Sequence, residues 1–342
     1  MKDLVFPFSI LALFLVLVWW AGDEPRANGT PHAFSVGLVL DKGGRDDQSF
    51  NESAYRGATQ AKNDLHIGLK VVEASDDTAY EPSQRTFAQL GSDLTIGVGF
   101  AQAGAMARVA PDFPQRRFLI IDSDVPGPNI RSVMFKENEG SYLMGAIAAL
   151  TTKTKAVGFV GGMDIPLIRR FELGYESGVH AIDPTLKVIV NYVGSTSDAW
   201  RNPTRGKELA LSQYQSGADI IFTAAGASGL GVFDAAEEEQ ALAIGVDSNQ
   251  DCLKPGRILT SMLKKVDKAV FTTISEAQQG RFVPGKFEMG LAQGGVDYTL
   301  DDCNRTILKP SVLTRVNELN EQIIHGKIQV PDYYEIRKGK KT

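Results

Sequence analysis

Cysteine and histidine are scarce in this 342-residue chain, which has two cysteines and four histidines. Two cysteines are too few for a disulfide scaffold or a four-cysteine zinc site. The four histidines show no metal-ligand spacing: His32, His66, His180 and His325. The charges nearly balance, with 36 basic and 41 acidic residues, so no general electrostatic attraction to nucleic acid is expected.

The motifs of several enzyme classes are also absent. The sequence contains neither GxxxxGK[ST] nor a GxGxxG after its first predicted strand, which argues against nucleotide hydrolysis and dinucleotide binding. It has no GxSxG elbow of a serine hydrolase. With 43% hydrophobic and 23% charged residues, the composition is that of a globular protein, and the length predicts about two domains.

One long hydrophobic run lies at the N-terminus, from Leu4 to Trp20, and it holds 17 uncharged residues after Lys2. This pattern predicts a secretory signal peptide over residues 1–29, with cleavage before Thr30. The cleavage site lies far from the run, so an uncleaved membrane anchor is the alternative. No cysteine lies near the end of the run, so lipid attachment at a processed N-terminal cysteine is not expected.

Beyond residue 30, short β-branched runs alternate with longer segments of helical period. Predicted strands of a first series are 34–40, 69–74, 94–98 and 118–122, and predicted helices are 49–64, 81–90 and 101–110. A second series has strands at 156–160, 188–193, 219–223 and 241–246, with helices at 167–182, 203–216 and 230–239. This alternation predicts two parallel α/β sheets, and therefore two lobes.

Polar or glycine-rich segments follow nearly every predicted strand. They include 41–51, 99–101 and 122–124 in the first series, and 161–164, 225–229 and 247–249 in the second. Ligands of open α/β sheets bind beyond the carboxyl ends of the strands. We therefore expect a ligand cleft between the two lobes.

The segment from Gly43 to Asn51, GGRDDQSFN, is the most informative of these. A purely structural interpretation is a tight turn followed by a helix that Asp47 or Ser49 caps. A functional interpretation gives the aspartates and Asn51 hydrogen bonds to a polar ligand, and Phe50 a flat face for stacking. The adjacent carboxylates Asp46 and Asp47 are also metal-ligand types, but no further acidic or histidine cluster completes an octahedral site.

Asp122 and Asp247 each end an apolar strand, in FLIIDS and LAIGVDS. A single aspartate there is often a loop cap, whereas two on equivalent edges favour recognition of hydroxyl or amine groups. Lys264 lies beside an expected hinge, where a solvated charge run is the simpler interpretation. Phe171 lies in the first turns of a predicted amphipathic helix, where an aromatic residue is more often part of the core.

At these residues the chain resembles the basic membrane protein family of periplasmic substrate-binding proteins, which includes purine nucleoside receptors of ABC transporters. The matching stretches occur in family order: DDQSFNESAYRG, FLIIDS, FKENEGSYLMGAIAAL, FELGYESG, RGKELA, AAGASGLGVFDAA, GVDSNQ and ILTSMLKKVDKAV. The resemblance implies a type I periplasmic-binding-protein fold, with two doubly wound parallel-sheet lobes and three hinge crossovers. It places lobe 1 at 30–136 and about 262–288, and lobe 2 at 137–261 and about 289–342.

The resemblance also implies a nucleoside ligand whose base is sandwiched between Phe50 and Phe171. Asp46 or Asp47, Asn51 and Asp122 would then bind the base edge. Ribose hydroxyls would bind Asp247 and Lys264, assisted by the backbone at Gly226. The loop that carries Trp200 matches the family only loosely, and this match would make Trp200 a further wall of the cleft. Transport-linked relatives usually carry a lipobox cysteine after the signal, which this chain lacks.

The N-terminal run predicts a protein that is exported to the periplasm or anchored facing it. The resemblance implies that this protein is a monomer without catalytic activity, cofactor or metal. It also implies that the protein delivers a nucleoside, with adenosine, guanosine and inosine favoured, to an ABC permease. A nucleoside-sensing receptor and, less favoured, a nucleoside-cleaving hydrolase are the alternatives, and a sugar or free base remains open as ligand. A transcriptional regulator is disfavoured, because the N-terminus holds an export segment and no helix-turn-helix. The sequence leaves open whether Cys252 and Cys303 are bonded.

Overall fold

The computed structural model describes residues 33–339, which contain two six-stranded sheets. The first sheet is parallel throughout and has the order β11-β5-β4-β3-β1-β2. Its strands are β1 (Ser35–Leu40), β2 (Gly68–Glu73), β3 (Leu94–Val98), β4 (Arg117–Ile121), β5 (Ile130–Phe135) and β11 (Gly285–Met289). The helices of this lobe, which we call the first lobe, are α1 (Phe50–Leu65), α2 (Tyr80–Gln89), α3 (Ala103–Val109) and α8 (Val266–Gln278).

The second sheet has the order β12-β10-β9-β8-β6-β7 and is parallel except for the β10–β12 pair. Its strands are β6 (Ala156–Met163), β7 (Lys187–Gly194), β8 (Ile220–Ala224), β9 (Leu242–Asp247), β10 (Ile258–Lys264) and β12 (Val296–Tyr298). The second lobe adds α4 (Glu137–Thr151), α5 (Pro166–Ile182), α6 (Pro203–Gln215), α7 (Gly229–Glu238) and α9 (Pro310–Ile324). The short helix α10 (Tyr333–Gly339) packs on α5.

The chain passes between the two sheets three times: after β5, after β10 and after β11. The predicted type I periplasmic-binding-protein fold is thereby confirmed. The boundary expected near residue 262 falls inside β10, which stays in the second sheet as far as Lys264. The strand that returns to the first sheet ends at Met289.

Helices α4 and α5 pack backbone against backbone because glycines line their contact. A Cβ on Gly178 would lie 2.0 Å from the Tyr142 carbonyl oxygen, and one on Gly145 would lie 2.1 Å from the Tyr175 carbonyl oxygen. Any larger residue at these two positions would push the helices apart. This close approach holds α5, whose second turn carries Arg170 and Phe171, against α4, which follows the first crossover.

The N-terminal signal or anchor predicted over residues 1–29 lies outside the described residues. Among residues 33–339, the structure has no helix that is both long and apolar enough to span a membrane.

Candidate functional site

A cavity opens at the carboxyl ends of both sheets. All but one of the residues predicted to bind ligand line it: Asp47, Phe50, Asn51, Asp122, Phe171, Gly226, Asp247 and Lys264. The structure therefore brings together residues separated by more than 200 positions in sequence.

Asp46 is the exception: of the two alternatives Asp46 and Asp47, only Asp47 lines the cavity. The Asp46 side chain is 84% exposed and pairs with Arg45 at 3.4 Å, outside the cavity wall. The turn before α1 directs the two adjacent carboxylates differently, so that Asp47 is buried while Asp46 faces solvent. A sequence pattern of two neighbouring aspartates cannot show which one turns inward.

The Asp47 carboxylate caps helix α1. It accepts hydrogen bonds from the backbone N–H groups of Ser49, Asn51 and Glu52 at 2.9–3.1 Å, and a fourth from the Asn51 side chain at 2.9 Å. These bonds satisfy donors that every helix N-terminus leaves without partners. Asp47 therefore shapes the cavity by fixing the start of α1, and its oxygens are already occupied.

The Asn51 amide connects this cap to the end of β1. Its oxygen accepts from the Asp41 backbone N–H at 2.8 Å, and its nitrogen keeps one hydrogen beyond the bond to Asp47. Asp41 also lines the cavity, and its carboxylate accepts from the Tyr80 hydroxyl. Asp41 was not among the residues predicted to bind ligand, although it follows β1 as Asp122 follows β4.

Asp122 and Asp247 occupy matching positions at the ends of β4 and β9. Both have left-handed backbone conformations, with φ of 66° and 65°, which residues other than glycine seldom adopt. Such conformations are frequent at binding sites, where the surrounding structure imposes them. Burial raises the pKa of Asp247 to about 6, despite the nearby Lys264 ammonium, and burial likewise raises the pKa of Asp122.

The Lys264 ammonium lies at the end of β10 between the two sheets. It donates to Asp122 at 2.6 Å and lies 3.0 Å from a carboxylate oxygen of Glu137. Its side chain is only 2% exposed, so it is not the solvated charge of the simpler interpretation. Asp247, which was expected to bind ribose together with Lys264, is a third carboxylate near the ammonium. Burial lowers the pKa of Lys264, but the three carboxylates raise it, so the pKa lies above the ordinary value of a lysine.

Four aromatic side chains line the cavity: Phe50, Phe100, Phe171 and Trp200. The Phe50 and Phe171 ring centroids lie 5.2 and 5.6 Å from the Lys264 ammonium. Phe100 and Trp200 meet edge to face, with centroids 6.4 Å apart. The Trp200 ring packs over Gly162, where a Cβ would lie 2.1 Å from the ring. Trp200 is therefore a fixed part of the wall.

Hydrogen bonds join the two lobes beside the cavity. The Ser49 hydroxyl donates to Asp247 at 2.5 Å, and the Ser248 hydroxyl donates to the Ser49 carbonyl at 2.9 Å. The Gln250 amide donates to the Gln48 carbonyl at 2.8 Å. The two lobes are thus in contact around the cavity, in a closed arrangement.

Cys252 and Cys303 form a disulfide in the structure, which answers the question that the sequence left open. The bond fixes the loop after β9, which also carries Gln250 and Asp251. Buried Asp251 accepts from the Ser261 hydroxyl at 2.6 Å. Within residues 33–339, the only cluster of metal-ligand types is this cysteine pair with Asp301, and its two sulfurs are bonded to each other.

Comparison with known proteins gives a consistent result. Residues 34–333 match the family described as PnrA-like ABC transporter substrate-binding proteins, Bmp. A CD4+ T-cell-stimulating antigen of Listeria monocytogenes is 35% identical, with 87% of this chain and 88% of that protein covered. The ABC transporter nucleoside-binding protein BmpA of Lactococcus lactis is 33% identical, over 97% and 99% of the two chains. A solute-binding protein of an ABC transporter system from Aeropyrum pernix superimposes with a TM-score of 0.81 at 28% identity, over 89% and 96%.

Proposed function

The chain belongs to the family of PnrA-like ABC transporter substrate-binding proteins, and we propose that it captures a purine nucleoside in the interlobe cavity for delivery to an ABC permease. A relative that covers nearly the whole chain is named a nucleoside-binding protein, which supports this ligand class. Adenosine, guanosine and inosine are the candidates that we favour.

The observation that carries the proposal is the combination of aromatic rings and buried carboxylates in one cavity, contributed by both lobes. Phe50, Phe171 and Trp200 offer apolar faces for a planar base, and such stacking contributes about 1–3 kcal/mol per base in nucleic-acid complexes. Asp122 and Asp247 offer carboxylate oxygens, which accept two hydrogen bonds from a vicinal diol or from a base edge. A nucleoside carries both kinds of group in one molecule.

The charge of the wall favours a nucleoside over a nucleotide. Among residues 33–339, four aspartates line the cavity, and Lys264 is its one basic lining residue. That lysine is already paired with Asp122 and Glu137. A phosphate group would meet an excess of carboxylates, so we expect 5′-phosphorylated ligands to bind far more weakly.

A nucleoside-cleaving hydrolase remains the alternative from another class. Equilibrium dialysis of the purified protein against adenosine, guanosine, inosine, cytidine, uridine and ribose tests both. Each dialysate is then separated by chromatography to detect free base. Retention of intact purine nucleoside supports the binding protein, release of free base identifies a hydrolase, and retention of none of the six excludes the proposed ligand class.

We further propose that the protein acts as a monomer outside the cytoplasm, exported by its N-terminal segment. Fractionation of producing cells and mass measurement of the exported chain test this proposal. A mature N-terminus at Thr30 is expected after cleavage. Deletion of the permease genes distinguishes transport from sensing. A transport protein contributes to nucleoside uptake only while its permease is present, whereas the role of a sensing receptor does not depend on the permease.

A further inference from the structure

A chain of charged residues, of which Glu137, Arg170 and Lys264 are buried and Glu288 is exposed, runs along the three crossovers between the lobes. Glu137 begins α4 at the first crossover, Lys264 ends β10 at the second, and Glu288 lies in β11 before the third. Arg170 connects them, because its guanidinium lies 3.1 Å from Glu137 and 3.1 Å from Glu288. Each crossover thus supplies one charged residue to a single network that ends in the ligand cavity.

The two carboxylate partners of Lys264 differ in what they face. Asp122 lines the cavity, whereas the fully buried Glu137 lies behind the lysine and is not part of the wall. The second carboxylate oxygen of Asp122, Oδ1, is buried without a hydrogen-bond partner, whereas Oε1 of Glu137 contacts the ammonium as an ion pair without a hydrogen bond. A buried acceptor without a hydrogen-bond partner destabilises the folded protein, so we expect a donor group of the ligand to bind Asp122 Oδ1.

We propose that Glu137 is a positioning residue of the ligand site: it is the permanent counter-ion that holds the Lys264 ammonium at the cavity wall and leaves Asp122 available to the ligand. The ligand part of this inference rests on the proposed function. Glu137 is suited to the role because Arg170 fixes its second oxygen at 3.1 Å. Arg170 is itself held by the Phe135 carbonyl and by Asp332 at 2.6 Å.

The groups around the ammonium come from several elements. Carboxylates face it from the end of β4 (Asp122), from α4 (Glu137) and from the end of β9 (Asp247), and the Tyr334 phenol of α10 interacts with it electrostatically. Three phenylalanine rings surround it at 5.2–5.6 Å: Phe50, Phe135 and Phe171. In such apolar surroundings, loss of one carboxylate lowers the pKa of the ammonium.

The test is NMR titration of the lysine side-chain signals in the ligand-free protein, with Lys264→Met to assign the Lys264 signal. In the wild type, we expect this signal to stay unchanged up to about pH 11. In Glu137→Gln, it titrates at least about one pH unit below the wild type. Glu276→Gln is the matched control, because Glu276 pairs with another buried guanidinium, that of Arg131, away from the cavity. An unchanged Lys264 titration in Glu137→Gln would overturn the proposal.

The same variants are then titrated with the nucleoside that the wild type binds. Glu137→Gln is expected to weaken binding by about tenfold or more, and Glu276→Gln by less than about twofold. Equal losses in both variants contradict a positioning role. If the wild type binds no nucleoside, the proposed function fails, and the NMR titration still decides the role of Glu137.

A second measurement covers the case in which Glu137→Gln does not fold. Lys264→Met removes the ammonium that Glu137 is proposed to hold, while Arg170 keeps Glu288 and Asp332 with or without Lys264. Glu137→Gln is therefore expected to lower Tm less in the Lys264→Met background than in the wild type, or to fold in that background where the single variant does not. An equal loss of stability in both backgrounds shows that Glu137 does not act through Lys264.

Discussion

The Ser49 hydroxyl donates a 2.5 Å hydrogen bond to the Asp247 carboxylate, and this bond joins the first lobe to the second at the cavity wall. Ser49 precedes α1, whose cap is supplied by Asp47, so its hydroxyl is free to cross to the other lobe. A bond that exists only when the lobes meet contributes to the closed state alone. Closure and ligand retention are therefore coupled at this residue.

Ser49→Ala should release ligand faster with little change in the association rate. Hydrogen bonds to a charged group contribute about 1.5–3 kcal/mol, so affinity is expected to fall about tenfold. Stopped-flow measurement of ligand dissociation checks this. Ser197→Ala is the control, because the exposed Ser197 hydroxyl also crosses between the lobes, to Asp77 at 3.0 Å. Equal dissociation rates in Ser49→Ala and the wild type would show that the Ser49 hydroxyl does not stabilise the closed state.

Loss of one stacking ring should weaken nucleoside binding without unfolding the protein. Phe50→Ala, Phe171→Ala and Trp200→Ala are each expected to raise Kd by about tenfold, equivalent to about 1.4 kcal/mol. Calorimetric titration gives Kd, and circular dichroism monitors the fold. Phe287→Ala serves as control, because this ring is 39% exposed and lies outside the cavity. If one of the three variants binds like the wild type, that ring does not stack on the base.

Ligand affinity should decrease as the pH falls through about 6. The ionised Asp247 carboxylate accepts hydrogen bonds from ligand hydroxyls, and burial raises the pKa of this group to about 6. Its protonated form loses this capacity, so Kd is expected to rise by up to about tenfold per pH unit below that value. Kd measured between pH 8 and pH 5 tests this, and Asp247→Asn should flatten the profile.

Protonation of Asp247 should affect the stability of the ligand-free protein in the opposite direction from ligand affinity: its contribution to stability should increase as the pH falls. Because the folded-state pKa lies above the ordinary value of 3.8, the folded state binds this proton more tightly than the unfolded state. The contribution of Asp247 to the free energy of unfolding therefore increases as the pH falls through 6. Comparing Tm of the wild type and Asp247→Asn at pH 5 and pH 8 separates this effect from acid unfolding.

Reduction of the Cys252–Cys303 disulfide should lower Tm. The bond closes a loop with a sequence separation of 51, for which loop-closure entropy predicts about 4 kcal/mol of stabilisation. We expect reductant to decrease Tm by roughly 5 °C or more, and to have no effect on Cys252→Ser/Cys303→Ser. An unchanged Tm in reductant, with two reactive thiols detected, would show that the bond does not stabilise the fold.

Much of the architecture could be predicted because strand and helix periods are local properties. The strand predicted over Leu94–Val98 has the same bounds in the structure. The return of the chain to the first sheet was harder to predict from the sequence. Strand β11 lies at a sheet edge and is mostly exposed, so its residues show only a weak apolar pattern. Sequence offered no local signal for β12, which is only three residues long.

The site was partly predictable for a related reason. Asp122 and Asp247 stand where buried strands end, which sequence shows directly. The division of roles between Asp46 and Asp47 depends on the direction of one turn, and the pairing of Lys264 with Glu137 depends on how two crossovers meet. Such long-range placements follow from packing and have no signature in a single sequence.

Calorimetric titration of the purified protein with inosine, guanosine and adenosine tests the central claim most directly. The proposal predicts saturable one-to-one binding of at least one of these nucleosides, and much weaker binding of its 5′-monophosphate. Absence of binding heat with all three, supported by an unchanged Tm in their presence, would contradict a purine nucleoside as the ligand of this cavity.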